Sequence, residues 1–299
     1  MNKGIYYSIF TAFLWGFLAI GLKVALADVS PLTVTWFRFT LAFGVLVLYY
    51  LIFNRERLKI LIHPPVLAVI AGVALGGNYV GFITGVHLTS PTIAQVFIQT
   101  GPVMLAIAGV VIFKEKFSLR QGIGLLIVLL GLAIFYYDTI SIIVSGEVSN
   151  FNTGVLWLLF GAFSWVIYGV FQKKEVVRYN PMQLNLLIFG VPALLLIPTA
   201  EFEVFPTLNF NQWMLMAYLG LNTLAAYGSL AYALKYLEAN KVSVIVTLNP
   251  LITFAAMAYL SEINVSWIES ESYSLLTIIG AVTALTGVIL TVLRRERNT

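Results

Sequence analysis

Several polar side chains lie inside long apolar stretches of this sequence, where they could bind a ligand away from water. Gln95, Gln99 and Pro102 follow one another at spacings of four and three residues, which places them on one face of a helix. A matching stripe follows 148 positions later, with hydroxyls in place of the amides and with Thr247 and Pro250 at its last two places. Such side chains can hold the polar end of a substrate or can bond to a neighbouring helix, and the sequence leaves both roles open.

Aromatic and amide side chains near the middle of other apolar stretches are further candidates for substrate contact. Trp15 and Trp165 stand 150 positions apart, each about mid-stretch, where the headgroup anchoring that is usual for tryptophan does not apply. Their rings could stack on a flat or apolar substrate, with core packing as the alternative. The remaining candidates of this kind are Asn78, Tyr79, Tyr168, Tyr227 and Asn249.

Two cations and two prolines also fall within the apolar stretches. Lys23 lies close to the end of its stretch, where its side chain can extend to the membrane surface. Arg38 lies deeper, where a charge costs about 2 to 3 kcal/mol unless it is compensated. We expect Arg38 to reach a helix-end carbonyl or an outer carboxylate such as Asp28, or else to recruit the carboxylate of a substrate. Because proline removes one backbone hydrogen bond, Pro102 and Pro250 could act as hinges or as static kinks.

The residue sets that catalysis or metal binding requires are missing from the sequence. There is no cysteine, both histidines, His63 and His87, stand at the ends of apolar stretches, and no such stretch contains Asp or Glu. A Ser/His/Asp set, paired carboxylates or a metal cluster therefore cannot be assembled. We predict that the protein is not an enzyme and needs no metal and no cofactor. Without a buried carboxylate, strong proton coupling is not expected either.

The elements that must position these residues are membrane-spanning helices. Of the 299 residues, 60% are hydrophobic and only 10% are charged, with a mean hydropathy of +0.93. A crossing takes about 20 apolar residues, so the chain has room for ten crossings and none for a separate soluble domain. The predicted spans are 4–27, 31–53, 65–86, 91–113, 119–137, 153–172, 181–199, 211–234, 242–261 and 273–293.

Charge in the connections predicts the orientation in the membrane. Every Lys and Arg other than Lys23 and Arg38 lies before the first span, after the last, or in alternate connections, whereas the other connections carry acids such as Asp28 and Glu201. By the positive-inside rule, both termini are cytoplasmic, which predicts a multi-pass protein of the cytoplasmic (inner) membrane. The expected partners are the lipid bilayer and a small-molecule substrate, not nucleic acid, with the protein as a monomer or a homodimer.

The second half of the chain repeats the first. Seven residues of the first half recur in kind 150 positions later: Gly4, Phe10, Ala12, Phe13, Trp15, Lys23 and Pro31. Because each copy holds an odd number of spans, the two copies must face opposite sides of the membrane. The prediction is an all-α polytopic membrane protein with ten transmembrane helices. They form two inverted five-helix repeats, residues 1–140 and 141–299, around a central cavity that opens to each side in turn.

Motifs in both halves of the chain carry a resemblance to a known family. They are Trp15 and Trp165, Arg38-Phe39, Gly101-Pro102 and Asn249-Pro250, and Lys114-Glu115 with Ser261-Glu262. Together they resemble the drug/metabolite transporter superfamily, most closely the EamA-type exporters and, among these, exporters of aromatic and hydrophobic amino acids. The resemblance implies that the first, third, fourth, sixth, eighth and ninth spans line the cavity, with the fifth and tenth at the periphery.

These observations favour a carrier that exports small metabolites, foremost apolar or aromatic amino acids. Two alternatives stay open: an exchanger of organic anions or sugar phosphates that uses Lys23 and Arg38 together, and a multidrug exporter. The first span lacks the glutamate on which small multidrug relatives depend, which weighs against cationic drugs. A channel would differ from all of these by conducting without saturation.

Overall fold

The described part of the chain folds into α-helices joined by short connections. A computed structural model describes residues 3–88, 94, 97–116, 118–137, 151–265 and 274–292, and it contains no strand among them. The helices are α1 Lys3–Ala25, α2 Pro31–Phe53, α3 Val66–Leu88, α4 Thr100–Phe113, α5 Leu119–Phe135, α6 Phe151–Glu175, α7 Pro181–Leu195, α8 Phe210–Tyr236, α9 Ala239–Val246, α10 Asn249–Glu262 and α11 Leu275–Val292. Short 3₁₀ turns cover Arg55–Leu61, Ile197–Thr199 and Phe202–Thr207. The predicted all-α class is therefore confirmed for these residues.

Six helical segments of the described chain are long and apolar enough to cross a membrane. They are α1, α2, α3, α6, α8, and α9 together with α10, which form one apolar run of 24 residues, Ala239–Glu262. Four shorter apolar helices, α4, α5, α7 and α11, accompany them. The chain is therefore a polytopic membrane protein.

Two of the helical segments are broken just before a proline. The chain leaves the helix between Val246 at the end of α9 and Asn249 at the start of α10, whose first turn holds Pro250. In the other half, α4 begins at Thr100 after a turn, with Pro102 in its first helical turn. Because proline has no N–H to donate, a backbone carbonyl one turn earlier is left without its helical partner at each break.

Helices from the two halves of the chain pack against each other in matched pairs. Helix α3 of the first half packs on α6 of the second half, and in the same way α8 packs on α1. Helix α2 packs on α8, and its counterpart α7 packs on α3. Helix α4 lies against α6 as α10 lies against α1, while α5 packs on α11. Each helix of one half therefore finds its main partners in the other half, so the interface between the halves is the core of the molecule.

The two ends of the bundle differ in how they are closed. One end, here called the closed end, brings the start of α1 near Gly4 against Leu237, and holds Glu115 and Lys173. The opposite end, here called the open end, holds Asp28 and the start of α8 at Gln212, whose side chains are hydrogen bonded. A helix of 23 residues, such as α1, separates these ends by about 34 Å, which matches a membrane crossing.

Candidate substrate-binding site

A cavity of about 630 Å³ extends from the middle of the bundle to its open end. Its inner part is lined by Trp15, Pro102 and Asn249, and its outer part by Leu22 at the end of α1 and Pro31 at the start of α2. Helices α3, α6, α8 and α9 complete the wall. The volume lies within the range that is usual for sites that enclose one small molecule.

Aromatic rings form the inner wall of the cavity, here called the aromatic floor: Trp15, Tyr79, Trp165 and Tyr227. Trp15 meets Tyr227 and Trp165 edge to face, with ring centroids 5.2 Å and 6.1 Å apart. Tyr227 lies 6.2 Å from Tyr79. Such contacts hold the rings in fixed orientations, so the floor presents rigid apolar surface to the middle of the cavity.

Amide side chains from both broken segments meet beside the aromatic floor. Gln99 Nε2 donates to Asn249 Oδ1 at 3.2 Å, which joins the turn before α4 to the first residue of α10. Gln99 is 7% exposed, and its Oε1 has no hydrogen-bond partner among the described residues. Both side chains line the cavity. Gln99 therefore keeps a buried acceptor that no described residue uses.

Asn78 also lines the cavity, although its amide is already engaged. Asn78 Nδ2 donates to the backbone carbonyl of Gly161 at 2.9 Å, which ties α3 to α6. On α3 the neighbouring Gly81 lies so close to Gly161 that an added Cβ would sit 2.8 Å from its backbone. The hydrogen bond of Asn78 therefore stabilises the α3–α6 interface, at a place where the two helices pack closely.

Arg38 lies in the cavity wall with partners that the sequence did not indicate. Its Nε donates to Thr223 Oγ1 and its Nη2 to Tyr79 Oη, both at 3.0 Å, and its guanidinium lies 4.8 Å from the Tyr79 ring centroid. The expectation of a helix-end carbonyl or Asp28 as its partner is wrong, because Asp28 accepts a hydrogen bond from Gln212 instead, at 2.7 Å. Both partners of Arg38 are neutral hydroxyls.

A buried polar cluster, here called the latch, seals the closed end. The Glu115 carboxylate accepts from the backbone N–H groups of Ala239 and Asn240, at 2.7 Å and 3.0 Å, at the start of α9. Lys173 lies 3.8 Å from the same carboxylate and also donates to the Leu234 carbonyl at 2.8 Å. The Glu115 and Lys173 side chains are only 7% and 16% exposed. The latch therefore joins the ends of α4, α6 and α8 to the start of α9.

The geometry of the latch depends on an unusual backbone conformation. Lys114 has φ 52°, and its N–H and that of Glu115 both donate to the Gly109 carbonyl. A residue with left-handed backbone dihedral angles terminates a helix and changes the direction of the chain that follows. Here it directs the Glu115 side chain at the first turn of α9, where the positive end of the helix dipole favours a carboxylate.

The structure gathers most of the residues proposed from the sequence around one cavity. Trp15, Asn78, Tyr79, Gln99, Trp165, Tyr227, Asn249, Pro102, Lys23 and Arg38 all line it. Tyr168 and Thr247 lie behind the lining: Tyr168 is fully buried, 5.5 Å from the Tyr227 ring, and Thr247 Oγ1 donates to the Val244 carbonyl. Gln95 falls outside the described residues. The described residues contain no group of three His, Asp or Glu that could hold a metal ion.

The sequence matches one transporter family along both halves. The model of the EamA-like transporter family matches residues 2–137 and again residues 152–293. The chain belongs to the EamA-like transporter family. It is therefore a membrane transporter of small molecules within the drug/metabolite transporter superfamily, in a family of transporters rather than of enzymes.

This EamA-like transporter has similar proteins in bacteria. A Haemophilus influenzae protein named "Uncharacterized transporter" is 33% identical over 293 residues, which cover 96% of this chain and 94% of that protein. The Escherichia coli protein named "Uncharacterized inner membrane transporter YhbE" is 31% identical over 280 residues, covering 93% and 86% of the two chains. A solved structure titled "Crystal structure of protein" has a TM-score of 0.78 at 16% identity, over 97% of this chain and 98% of that chain, and so shares the fold.

Two groups of site residues in this EamA-like transporter were missed by the sequence reasoning. Apolar residues of the outer cavity include Leu18 and Leu22 on α1 and Phe82 and Val86 on α3. Their helical spacing from Trp15 and Tyr79 would have placed them on the same faces, had apolar residues been considered. Glu115 was interpreted only as part of a family motif, and Lys173 as a topology signal and a repeat match, because their distance in the sequence hides that they meet.

Proposed function

We propose that this protein is a carrier that exports small metabolites, foremost amino acids with apolar or aromatic side chains, by alternating access across the inner membrane. The observation that carries the proposal is the cavity, which joins an aromatic floor in mid-bundle to the open end while the latch seals the other end. Access from one side at a time is what distinguishes a carrier from a channel. The bilayer and a small-molecule substrate are the partners that such a carrier needs.

Matched features in the two halves support two inverted repeats and ten crossings. The two family matches divide the chain near its middle, and the helix contacts occur in matched pairs. At the two breaks, Thr100 Oγ1 donates to the Phe97 carbonyl as Thr247 Oγ1 does to that of Val244. The six membrane-length segments and the four shorter apolar helices together supply ten candidate crossings.

Contacts at the ends of the helices support the inversion. The start of α1 and the end of α6, which are corresponding helices in the two repeats, lie at the same end: Gly4 contacts Leu237, and Lys173 donates to the Leu237 carbonyl. Corresponding helices therefore run in opposite directions. Such a pair of repeats can exchange conformations, which gives inward-open and outward-open states of similar energy.

Charge supports the orientation that we propose. Lys3, Arg55, Lys114 and Lys173 fall at or beside the closed end, so the positive-inside rule makes this end cytoplasmic. The cavity then opens outward in this conformation. The printed name of the Escherichia coli relative, an inner membrane transporter, agrees with that membrane.

Removal of one ring from the aromatic floor should weaken substrate binding. We expect Trp165→Leu to raise the apparent KM for phenylalanine about tenfold, because an aromatic contact contributes about 0.5 to 1.5 kcal/mol beyond its buried area. The measurement is counterflow of radiolabelled phenylalanine in liposomes that contain the purified protein. The matched control is Trp157→Leu, since Trp157 lies on the same helix, is 37% exposed and is not in the lining. Equal KM values for the two variants would remove Trp165 from the site, and flux without saturation would contradict a carrier.

Corresponding residues of the two repeats should be accessible from opposite sides. Asp28 and Arg178 stand 150 positions apart, each after the first helix of its half, and both are exposed. Because the chain has no native cysteine, Asp28→Cys and Arg178→Cys can be labelled singly in cells with a membrane-impermeant maleimide. We expect Asp28→Cys to react in intact cells and Arg178→Cys to react only after permeabilisation. Reaction of both in intact cells would contradict the inversion.

A further inference from the structure

Arg38 brings a positive charge to the cavity wall without an acidic partner among the described residues. Its side chain is 2% exposed and donates to two neutral hydroxyls, Thr223 Oγ1 and Tyr79 Oη. In the part of the chain that the structure describes, no Asp or Glu forms an ion pair with it. A buried cation is normally paired, because neutral acceptors replace only part of the hydration that it loses. The missing component of this site is therefore an anion.

The guanidinium retains donors for that anion. A guanidinium carries five N–H groups, and the two hydrogen bonds to Thr223 and Tyr79 use two of them. Arg38 is part of the cavity lining, so a substrate in the cavity can approach it. We propose that Arg38 binds a carboxylate group of the transported substrate. This inference rests on the proposed carrier function and adds to it the residue that binds the carboxylate of the substrate.

Tyr79 adds a second donor at the same place. Its Oη accepts from Arg38 Nη2, and a phenolic hydroxyl can also donate its own proton. The Tyr79 ring also belongs to the aromatic floor, 6.2 Å from Tyr227. A carboxylate that contacts Arg38 and Tyr79 therefore has its attached apolar group beside Tyr227 and Trp15. An organic acid with an apolar or aromatic body fits this arrangement.

The number of donors favours a carboxylate over a phosphate ester. A planar carboxylate carries one charge and pairs with one guanidinium through two parallel hydrogen bonds. A phosphate monoester carries about two charges and three acceptor oxygens at neutral pH. Arg38 is one cation with two of its donors already occupied. Lys23 also lines the cavity, but it lies at the outer end of α1, about two helical turns beyond Trp15 of the aromatic floor.

The experiment compares ligands that share a phenyl ring and differ in the group that would face Arg38; phenylalanine and phenylalaninamide differ in the carboxylate alone. In liposomes that contain the purified wild-type protein, phenylalanine, phenylalaninamide, 3-phenylpropionate and phenyl phosphate compete with radiolabelled phenylalanine counterflow. We expect the two carboxylates to inhibit at concentrations at least tenfold lower than the amide and the phosphate ester. Equal inhibition by the carboxylates and the amide overturns the role of Arg38, and stronger inhibition by phenyl phosphate overturns the carboxylate class. Absence of saturable counterflow contradicts the carrier function itself.

Two variants separate direct contact from general positive charge. Arg38→Gln and Lys23→Gln each remove one positive charge from the cavity wall. We expect Arg38→Gln to abolish the tenfold preference for carboxylates and Lys23→Gln to retain it. Loss of the preference in both variants, or in neither, overturns direct contact by Arg38. The wild-type ligand series decides the proposal even where Arg38→Gln fails to fold, because it requires no variant.

Discussion

Replacement of Glu115 by glutamine is expected to open the closed end of the bundle. The carboxylate accepts from two N–H groups at the start of α9 and lies 3.8 Å from the Lys173 ammonium. Removal of one partner from a buried ion pair lowers the free energy of unfolding by about 3 to 5 kcal/mol. We expect a smaller loss of about 2 kcal/mol here, because Lys173 keeps its bonds to backbone carbonyls and the pair is long. A loss of this size shifts the equilibrium between the outward-open conformation and the conformation that is open at the latch by about thirtyfold toward the latter.

Accessibility from the cytoplasmic side measures this shift. Val246 lines the cavity on α9, so Val246→Cys reports whether a reagent reaches the cavity from the latch. In inside-out vesicles, we expect an impermeant maleimide to label Val246→Cys much faster when Glu115→Gln is also present. Phenylalanine counterflow should fall at least tenfold, since return to the outward-open state becomes limiting.

An exposed ion pair provides the control for Glu115. Glu56 pairs with Lys59 three residues later, with the two side chains 77% and 68% exposed. Such surface pairs contribute about 0 to 1 kcal/mol, so Glu56→Gln should leave both labelling and counterflow unchanged. Identical labelling rates for Glu115→Gln and Glu56→Gln would show that the latch does not hold the closed end.

Substitution of Gly131 is expected to separate α5 from α11 and to destabilise the protein. A Cβ at Gly131 would lie 2.3 Å from the Ala284 amide nitrogen and 2.7 Å from its Cα. On the facing helix, a Cβ at Gly280 would lie 2.3 Å from the Phe135 amide nitrogen. Backbone atoms cannot move aside without moving a whole helix, so the cost exceeds that of a crowded side chain. We expect Gly131→Ala to lower the free energy of unfolding by about 3 kcal/mol and the melting temperature by about 5 to 10 °C.

Gly44 in α2 offers a matched control for that prediction. Among the described residues, nothing lies within 4 Å of a Cβ added there. Since alanine has a higher helix propensity than glycine by about 1 kcal/mol, Gly44→Ala should leave the melting temperature unchanged or raise it. The measurement is size-exclusion chromatography with fluorescence detection after heating in detergent. Similar melting temperatures for both variants would contradict the close packing of α5 on α11.

Local sequence patterns predicted the helices and the family, because both depend on nearest neighbours and spacing. The length of an apolar run sets whether a helix can cross the membrane, and Pro250 predicted a hinge or a kink in the ninth apolar stretch, where the structure has a break. Helical spacing made Gln99 a candidate, a position near the middle of a stretch did so for Trp15, Tyr79 and Trp165, and all four line the cavity. The role of each in binding stays a prediction.

Three-dimensional packing decided which candidates share a surface and how the charged residues are used. Trp165 and Tyr168 stand three residues apart on one face of α6, yet Trp165 reaches the cavity while Tyr168 is covered by its neighbours. Arg38 meets Thr223, which lies 185 positions away, and Glu115 meets the start of α9 across more than a hundred residues. The periodicity of a sequence indicates only on which face of its own helix a side chain lies. The identity of the facing helix follows from how the two halves pack, so the Arg38 site and the latch could be found only in the folded molecule.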